Sequence, residues 1–168
     1  MPKVGWEGRL KRCAKALDNR LKQEPMQTII HGDCKSANMM FAKDGQPLLY
    51  DFQYCGKAPP TKDLAYFIVV ASAGGPGCTG LVDSYYLELT RQLKSRGITT
   101  PTRAAVDVAL DLSYCDLGRW MSGWGWWGHD LQHKIEGVLG RLDGGQILSS
   151  EAAYGEALAR EFPVLPSA

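Results

Sequence analysis

The chain has 168 residues, 45% of them hydrophobic and 22% charged, which is enough apolar material for one globular domain with its own core. The formal net charge of +1 gives no electrostatic reason to expect a nucleic-acid or membrane-surface partner. Five cysteines (Cys13, Cys34, Cys55, Cys78 and Cys115) with no C-x-x-C spacing argue against a disulfide framework and a zinc site. Reduced thiols suggest a cytoplasmic setting, the first thirty residues are too charged for a signal peptide, and no apolar run reaches membrane-spanning length.

Residues 1–26 read as a leading helix, with Trp6, Leu10, Cys13, Leu17 and Leu21 recurring at threes and fours among charged residues. Gln27-Thr28-Ile29-Ile30 is a β-prone run. Two apolar runs of strand length follow, Met39-Met40-Phe41-Ala42 and Pro47-Leu48-Leu49-Tyr50. Asp44-Gly45 between them is a strong hairpin signal. The segment His31-Gly32-Asp33-Cys34-Lys35-Ser36-Ala37-Asn38 thereby falls on a loop between strands, and Asp51 of Tyr50-Asp51-Phe52-Gln53 falls at a strand end.

This spacing of two acids and an amide is the one used by phosphoryl-transfer enzymes whose loops read H-R-D-x-x-x-x-N and then D-F-G. Here Gly replaces the Arg and Gln replaces the last Gly, while the Asp-to-Asn interval is kept. Each residue type has a chemical reason. A hydroxyl attacking a phosphate needs a carboxylate to orient it and take its proton, which assigns Asp33 as catalytic. Mg²⁺ takes oxygen ligands, a carbonyl from Asn38 and a carboxylate from Asp51. Lys35, two residues past the base, brings a point charge for the transferring phosphate. His31 reads as a loop-packing residue. The bland alternative is a pair of turn-capping acids with Asn38 as a turn residue.

At these residues the chain resembles the C-terminal lobe of small-molecule kinases related to aminoglycoside phosphotransferases and choline kinases. With Asp63-Leu64-Ala65-Tyr66-Phe67 added, it is most similar to the ecdysteroid-kinase-like (CHK kinase-like) branch. The resemblance implies an α+β, mainly α fold: a protein-kinase-like C-terminal lobe whose small β-hairpin carries the catalytic and metal loops. It implies a phosphotransferase that takes phosphate from ATP, uses Mg²⁺ and acts on a small-molecule hydroxyl. Asp33 would be the base, and Asn38 and Asp51 would hold magnesium and, through it, the nucleotide. Asp63 would be a structural cap and loop anchor.

The organisation expected is a single domain over 1–168: the helix at 1–26, the catalytic loop and hairpin at 27–56, and a helical subdomain at 57–162. The family's strand-rich N-terminal lobe, with its phosphate loop, strand lysine and adenine-reading hinge, does not fit into the thirty residues ahead of His31. The expectation is therefore a fragment or truncated form, with the missing lobe or a partner covering its docking surface. The alternative is a non-catalytic lobe acting as a binding module, which would expose apolar surface there.

Beyond the hairpin, 63–73 reads as a buried helix starting at Asp63, and 81–96 as an amphipathic helix. A third helix opens at Thr99-Thr100-Pro101 and runs to about Ser122; two more cover 129–142 and 151–161. Gly75-Pro76-Gly77-Cys78-Thr79-Gly80 is a literal G-x-G-x-x-G, but no acid follows at the interval a dinucleotide fold needs, so it reads as a loop between helices. Trp120, Trp124, Trp126 and Trp127 cluster with three glycines. They read as core, the alternative being an aromatic wall for the acceptor. His129 and His133 imitate a metal pair, without the intervening Glu or a third ligand that would support one.

Overall fold

The structure, a computed structural model, describes residues 4–71 and 80–165. It is mostly helical with two small antiparallel sheets, an α+β arrangement. Helix α1 (Trp6–Lys22) follows from its periodic stripe: Leu10, Cys13, Leu17 and Leu21 are all buried, joined by Ala16. Strand β1 (Thr28–Ile30) comes next, then a 3-10 turn (Ser36–Asn38), β2 (Met39–Phe41) and β3 (Pro47–Leu49).

Strands β2 and β3 form the expected hairpin, with Met39 opposite Leu49 and Phe41 opposite Pro47. Gly45 turns the chain at φ 82°, and the Asp44 carboxylate accepts from the Gln46 N–H at 3.1 Å. A fourth strand, β4 (Gly56–Ala58), pairs with β1 so that Thr28 faces Ala58. That pairing was not legible in the sequence, because Gly-Lys-Ala carries no apolar alternation.

Helix α2 (Thr61–Tyr66) starts two residues before the expected Asp63. Pro60 supplies the helical φ at the entry, and the Thr61 hydroxyl bonds that of Ser113 at 2.9 Å. The helix widens to a π-turn at Phe67–Ala71 rather than continuing as α-helix. Gly75 to Thr79 of the glycine-rich run lie outside the described residues.

Helix α3 (Leu81–Ser95) is amphipathic as expected, yet none of its side chains is fully buried, and it lies at the periphery. Helix α4 (Arg103–Trp124) is capped by Thr102, whose hydroxyl accepts from the Ala105 N–H at 3.1 Å; Pro101 stands just ahead of the cap, outside the first turn. Residues 112–118 of α4 are buried on every side, which makes it the central helix. Gly118 permits this, because a Cβ there would lie 2.3 Å from the Cδ1 of Ile135.

Helices α5 (Gln132–Asp143) and α6 (Glu151–Glu161, capped by Ser150) close the bundle on α1 and α4. The core is built from Leu10, Leu17, Leu112, Met121, Ile135, Leu139, Tyr154, Leu158 and Phe162, each contributing on the order of 2 kcal/mol by burial. No helix among the described residues is long and apolar enough to cross a membrane.

Two tryptophans depart from the core expectation. Trp126 packs edge-on against Trp6 at 5.6 Å, but Trp124 and Trp127 are 71% and 62% exposed. His129 precedes α5 and His133 lies on its exposed face.

Candidate active site

The loop between β1 and β2 is held from below by Asp63 in the first turn of α2. Its two carboxylate oxygens accept from the backbone N–H groups of His31 (2.7 Å) and Gly32 (2.9 Å). This is the anchoring role expected of Asp63. His31 completes the support. Its Nδ1 accepts from the Asp33 N–H at 3.2 Å, so its Nε2 carries the proton and donates to the Tyr50 carbonyl at 2.9 Å. The ring also packs 4.6 Å from that of Phe52. Gly32 has a steric reason to replace the Arg of protein kinases. It stands at φ 82°, and a Cβ would fall 2.2 Å from the Tyr54 carbonyl oxygen.

The loop so fixed presents Asp33, which is buried. Its Oδ2 accepts from the Lys35 ammonium at 2.8 Å and the Asn38 Nδ2 at 2.9 Å; its Oδ1 accepts from the Tyr66 hydroxyl at 2.9 Å. Burial pushes the carboxyl up, but the hydrogen bonds from Lys35, Tyr66 and Asn38 outweigh it and hold the group below its ordinary value, so it is ionised. The reciprocal effect acts on Tyr66: burial and the adjacent carboxylate raise its phenol. Cys34, next to Asp33, is pushed up to about 11 by burial and then by Asp63 and Asp33, which leaves it a neutral thiol.

Asn38 also donates from Nδ2 to the Asp33 carbonyl at 2.9 Å. Both roles use its amide nitrogen, so its Oδ1 has no hydrogen-bond partner among the described residues. Hairpin register then fixes its relation to Asp51. The Tyr50 N–H donates to the Asn38 carbonyl at 3.2 Å, extending the β2–β3 ladder by one pair, and Asp51 is the next residue. Asp51 sits at φ 63°, a conformation more accessible to Asp than to most side chains. It is exposed and, among the described residues, its side chain accepts only from the Gln53 amide, at 3.5 Å.

All four expected site residues thus fall on one loop and one end of one hairpin. Asp33, Lys35 and Asn38 are in direct contact, and Asp51 adjoins them through the register. An amide oxygen and an exposed carboxylate, related by the hairpin register, are the hard donors that Mg²⁺ takes when phosphates and water complete its shell. Among the described residues no group of three His, Cys, Asp or Glu side chains gathers around a metal, so magnesium would rest on this pair.

Two parts of the site were missed in the sequence. Tyr66 had its signal: it follows Asp63 by one helical turn and so shares its face toward the loop. The second part is an ionic group beside Tyr66, with a buried acid and two partly exposed cations. Asp116 of α4 accepts from Lys62 at 2.7 Å and from Arg119 at 2.8 Å and 3.1 Å. Only Asp116 and Arg119 are neighbours along one helix; the contact with Lys62 is tertiary.

With the geometry in place, the comparisons fix the class. Residues 3–106 match the APH phosphotransferase enzyme family, in the superfamily of aminoglycoside phosphotransferases and choline kinases. The match covers more than half of the chain and includes the loop, the hairpin and Asp63. The chain belongs to this family. No curated protein and no solved structure matches it at a significant level.

Proposed function

We propose that this chain carries the magnesium- and acceptor-binding part of a phosphotransferase that moves the γ-phosphoryl group of ATP to a small-molecule hydroxyl, in a protein-kinase-like C-terminal lobe of the ecdysteroid-kinase-like branch. The observation that supports it most is the ring of Lys35, Asn38 and Tyr66 around the ionised Asp33, with Asp51 one register step away. In the transfer, the acceptor oxygen forms a bond to the γ-phosphorus, the bond from that phosphorus to the β-bridging oxygen breaks, and ADP leaves. Magnesium, when bound, neutralises the charge on the phosphates.

Asp33 orients the hydroxyl. Because its carboxyl is held below the ordinary range, it is a weak base, suited to receive the proton late, once the bond to phosphorus is forming. Lys35, half-buried beside it, exchanges its contact with Asp33 for one with the transferring phosphate. Asn38 and Asp51 hold the metal by their oxygens. The free thiols of Cys13, Cys34, Cys55 and Cys115 fit a reducing cytoplasmic setting.

Among the described residues ahead of His31 there are one helix and one short strand, neither of which offers a phosphate loop or an adenine-reading hinge. Ile29, Phe41 and Leu49 expose apolar surface on β1 and the hairpin, and we assign this surface to contact with a strand-bearing partner lobe. A second reading rests on the same exposed surface: a non-catalytic lobe that binds and transfers nothing.

Radiolabelled ATP offered with Mg²⁺ and a pool of hydroxylated metabolites separates them. The expected outcome is label in organic phosphate, lost by about 10³-fold or more in Asp33→Ala while Mg·ATP binding persists. Asp51→Ala should instead weaken Mg·ATP binding. Absence of both transfer and Mg·ATP binding overturns the proposal in favour of the binding module.

A further inference from the structure

Beside the base lies a cavity of about 220 Å³ between the loop, α2 and α4. Gly32 and Tyr66 line its inner end, next to Asp33; Lys62, Asp116, Arg119 and Trp120 line the remainder. Its hydrogen-bonding inventory is one-sided. Both oxygens of Asp63 are taken by backbone N–H groups, and both oxygens of Asp116 by Lys62 and Arg119. Lys62 and Arg119 each keep further N–H groups that no described residue accepts, and so does the Trp120 indole. Two cations share the Asp116 carboxylate, and the other lining carboxylate, Asp63, is turned to the loop backbone, so the cavity is balanced in charge but offers spare donors rather than spare acceptors. Exposure sorts them the same way: the Asp116 side chain is 7% exposed, against 42% for Arg119 and 30% for Lys62. The acid is behind and the donors are in front.

The outer wall is aromatic. Tyr66 meets Trp120 edge-on at 5.9 Å, and Trp120 in turn contacts Trp124 (6.3 Å) and Trp127 (5.6 Å), the two exposed rings. Tyr54, Tyr66 and Trp120 line the cavity itself, and rings beside spare cationic donors suit a ligand with a flat apolar body and an acceptor group. A volume of about 150 Å³ holds benzene, so this cavity has room for one ring and its substituents.

We propose that this cavity is the acceptor subsite and selects a hydroxylated molecule bearing a carboxylate on a flat apolar body, with the carboxylate on Arg119 and Lys62 and the hydroxyl toward Asp33. The inference rests on the phosphotransferase reading only for the word acceptor; binding itself needs no nucleotide. Arg119 and Lys62 are then specificity-determining residues, and a cationic acceptor is disfavoured by the same groups.

The test uses a matched pair, 4-(hydroxymethyl)benzoate and 4-(hydroxymethyl)benzylamine, titrated into the nucleotide-free protein by calorimetry and by quenching of tryptophan fluorescence. The carboxylate is expected to bind at least tenfold more tightly than the amine. Arg119→Gln should erase that preference and Arg119→Lys should keep part of it, with circular dichroism unchanged because Asp116 retains Lys62. Equal or tighter binding of the amine, no binding of either at millimolar concentration, or an unchanged preference in Arg119→Gln overturns the proposal. The two readings also fail separately. Carboxylate binding without phosphoryl transfer upholds the subsite and removes the transferase, whereas transfer confined to cationic acceptors does the reverse.

Discussion

Both oxygens of Asp33 are hydrogen-bonded within the loop and α2 before any substrate arrives, and this sets what the residue does. Three donors, from Lys35, Asn38 and Tyr66, aim it and keep it ionised against the cost of burial. Tyr66 is the separable one, because Tyr66→Phe keeps the ring against Trp120 and removes only the hydroxyl. The sign follows from the direction of the shift. A hydrogen bond to the charged form lowers the Asp33 pKa, so losing it raises that pKa. The acid limb of the rate profile should therefore move to higher pH. At neutral pH the rate should fall by about tenfold, the equivalent of one charge-assisted hydrogen bond. Phosphoryl transfer measured from pH 4 to 8 checks both, and an acid limb that stays in place rules out Tyr66 as a positioning residue. The site residues on the loop were legible because their chemistry requires fixed intervals along the chain. Lys62, Asp116 and Arg119 were not, since residues 62 and 116 meet only through the packing of α2 on α4 and no local spacing encodes that.

Between elements, the strongest polar fastening joins α1, α5 and α6. The Asp143 carboxylate at the end of α5 accepts from the Arg9 Nε of α1 at 2.9 Å and from the Tyr154 hydroxyl of α6 at 2.7 Å, with the Gly145 N–H at 2.9 Å behind it. The Arg9 and Asp143 side chains are both buried. Breaking such a pair leaves a charge with neither water nor partner, so Asp143→Ala should cost about 3–5 kcal/mol in urea denaturation. Burial pushes the Asp143 carboxyl up, but the bonds from Arg9, Tyr154 and Gly145 hold it below its ordinary 3.8. A depressed carboxyl stabilises the fold above its unfolded value and loses that contribution as pH falls through the folded one. The gap between wild type and Asp143→Ala should therefore be full at pH 7 and shrink below pH 3.8. A gap that holds constant into acid would show the loss to be packing alone. The helices around this knot were readable in the sequence: α1 from its apolar stripe, and the last two as 129–142 and 151–161, close to the observed bounds of α5 and α6. What periodicity did not convey was which faces stay open. It gave α3 an apolar stripe that is only half-covered, and it filed Trp124 and Trp127 with the core although the glycines beside them, Gly125 at φ 146° among them, turn the chain outward.

At the scale of the whole molecule the helical side and the sheet side are built to different standards. The bundle of α1, α4, α5 and α6 has a continuous core. The β2–β3 hairpin has no fully buried residue, and each sheet has two strands, a size that is marginal by itself in water. Yet this hairpin sets the relation of Asn38 to Asp51. It is apolar on both faces: Phe41, 71% exposed, and Leu49 lie on one, with the 80% exposed Ile29 of β1 beside them, and Met40 and Leu48 lie on the other. An apolar surface of this kind on a marginal sheet is stabilised when something covers it. Left uncovered, the amides of 39–49 should exchange with deuterium far faster than those of α4, and the protein should self-associate with rising concentration. The double variant Ile29→Lys, Phe41→Ser should abolish that association in sedimentation experiments. It should change global stability by no more than about 0.5 kcal/mol, because both side chains already face solvent. If association persists in the variant, the surface responsible is elsewhere, and α3 with its half-covered stripe is the next to alter. If association disappears and Mg·ATP binding weakens with it, the apolar sheet surface and the Asn38–Asp51 end of the hairpin are coupled through the β2–β3 register.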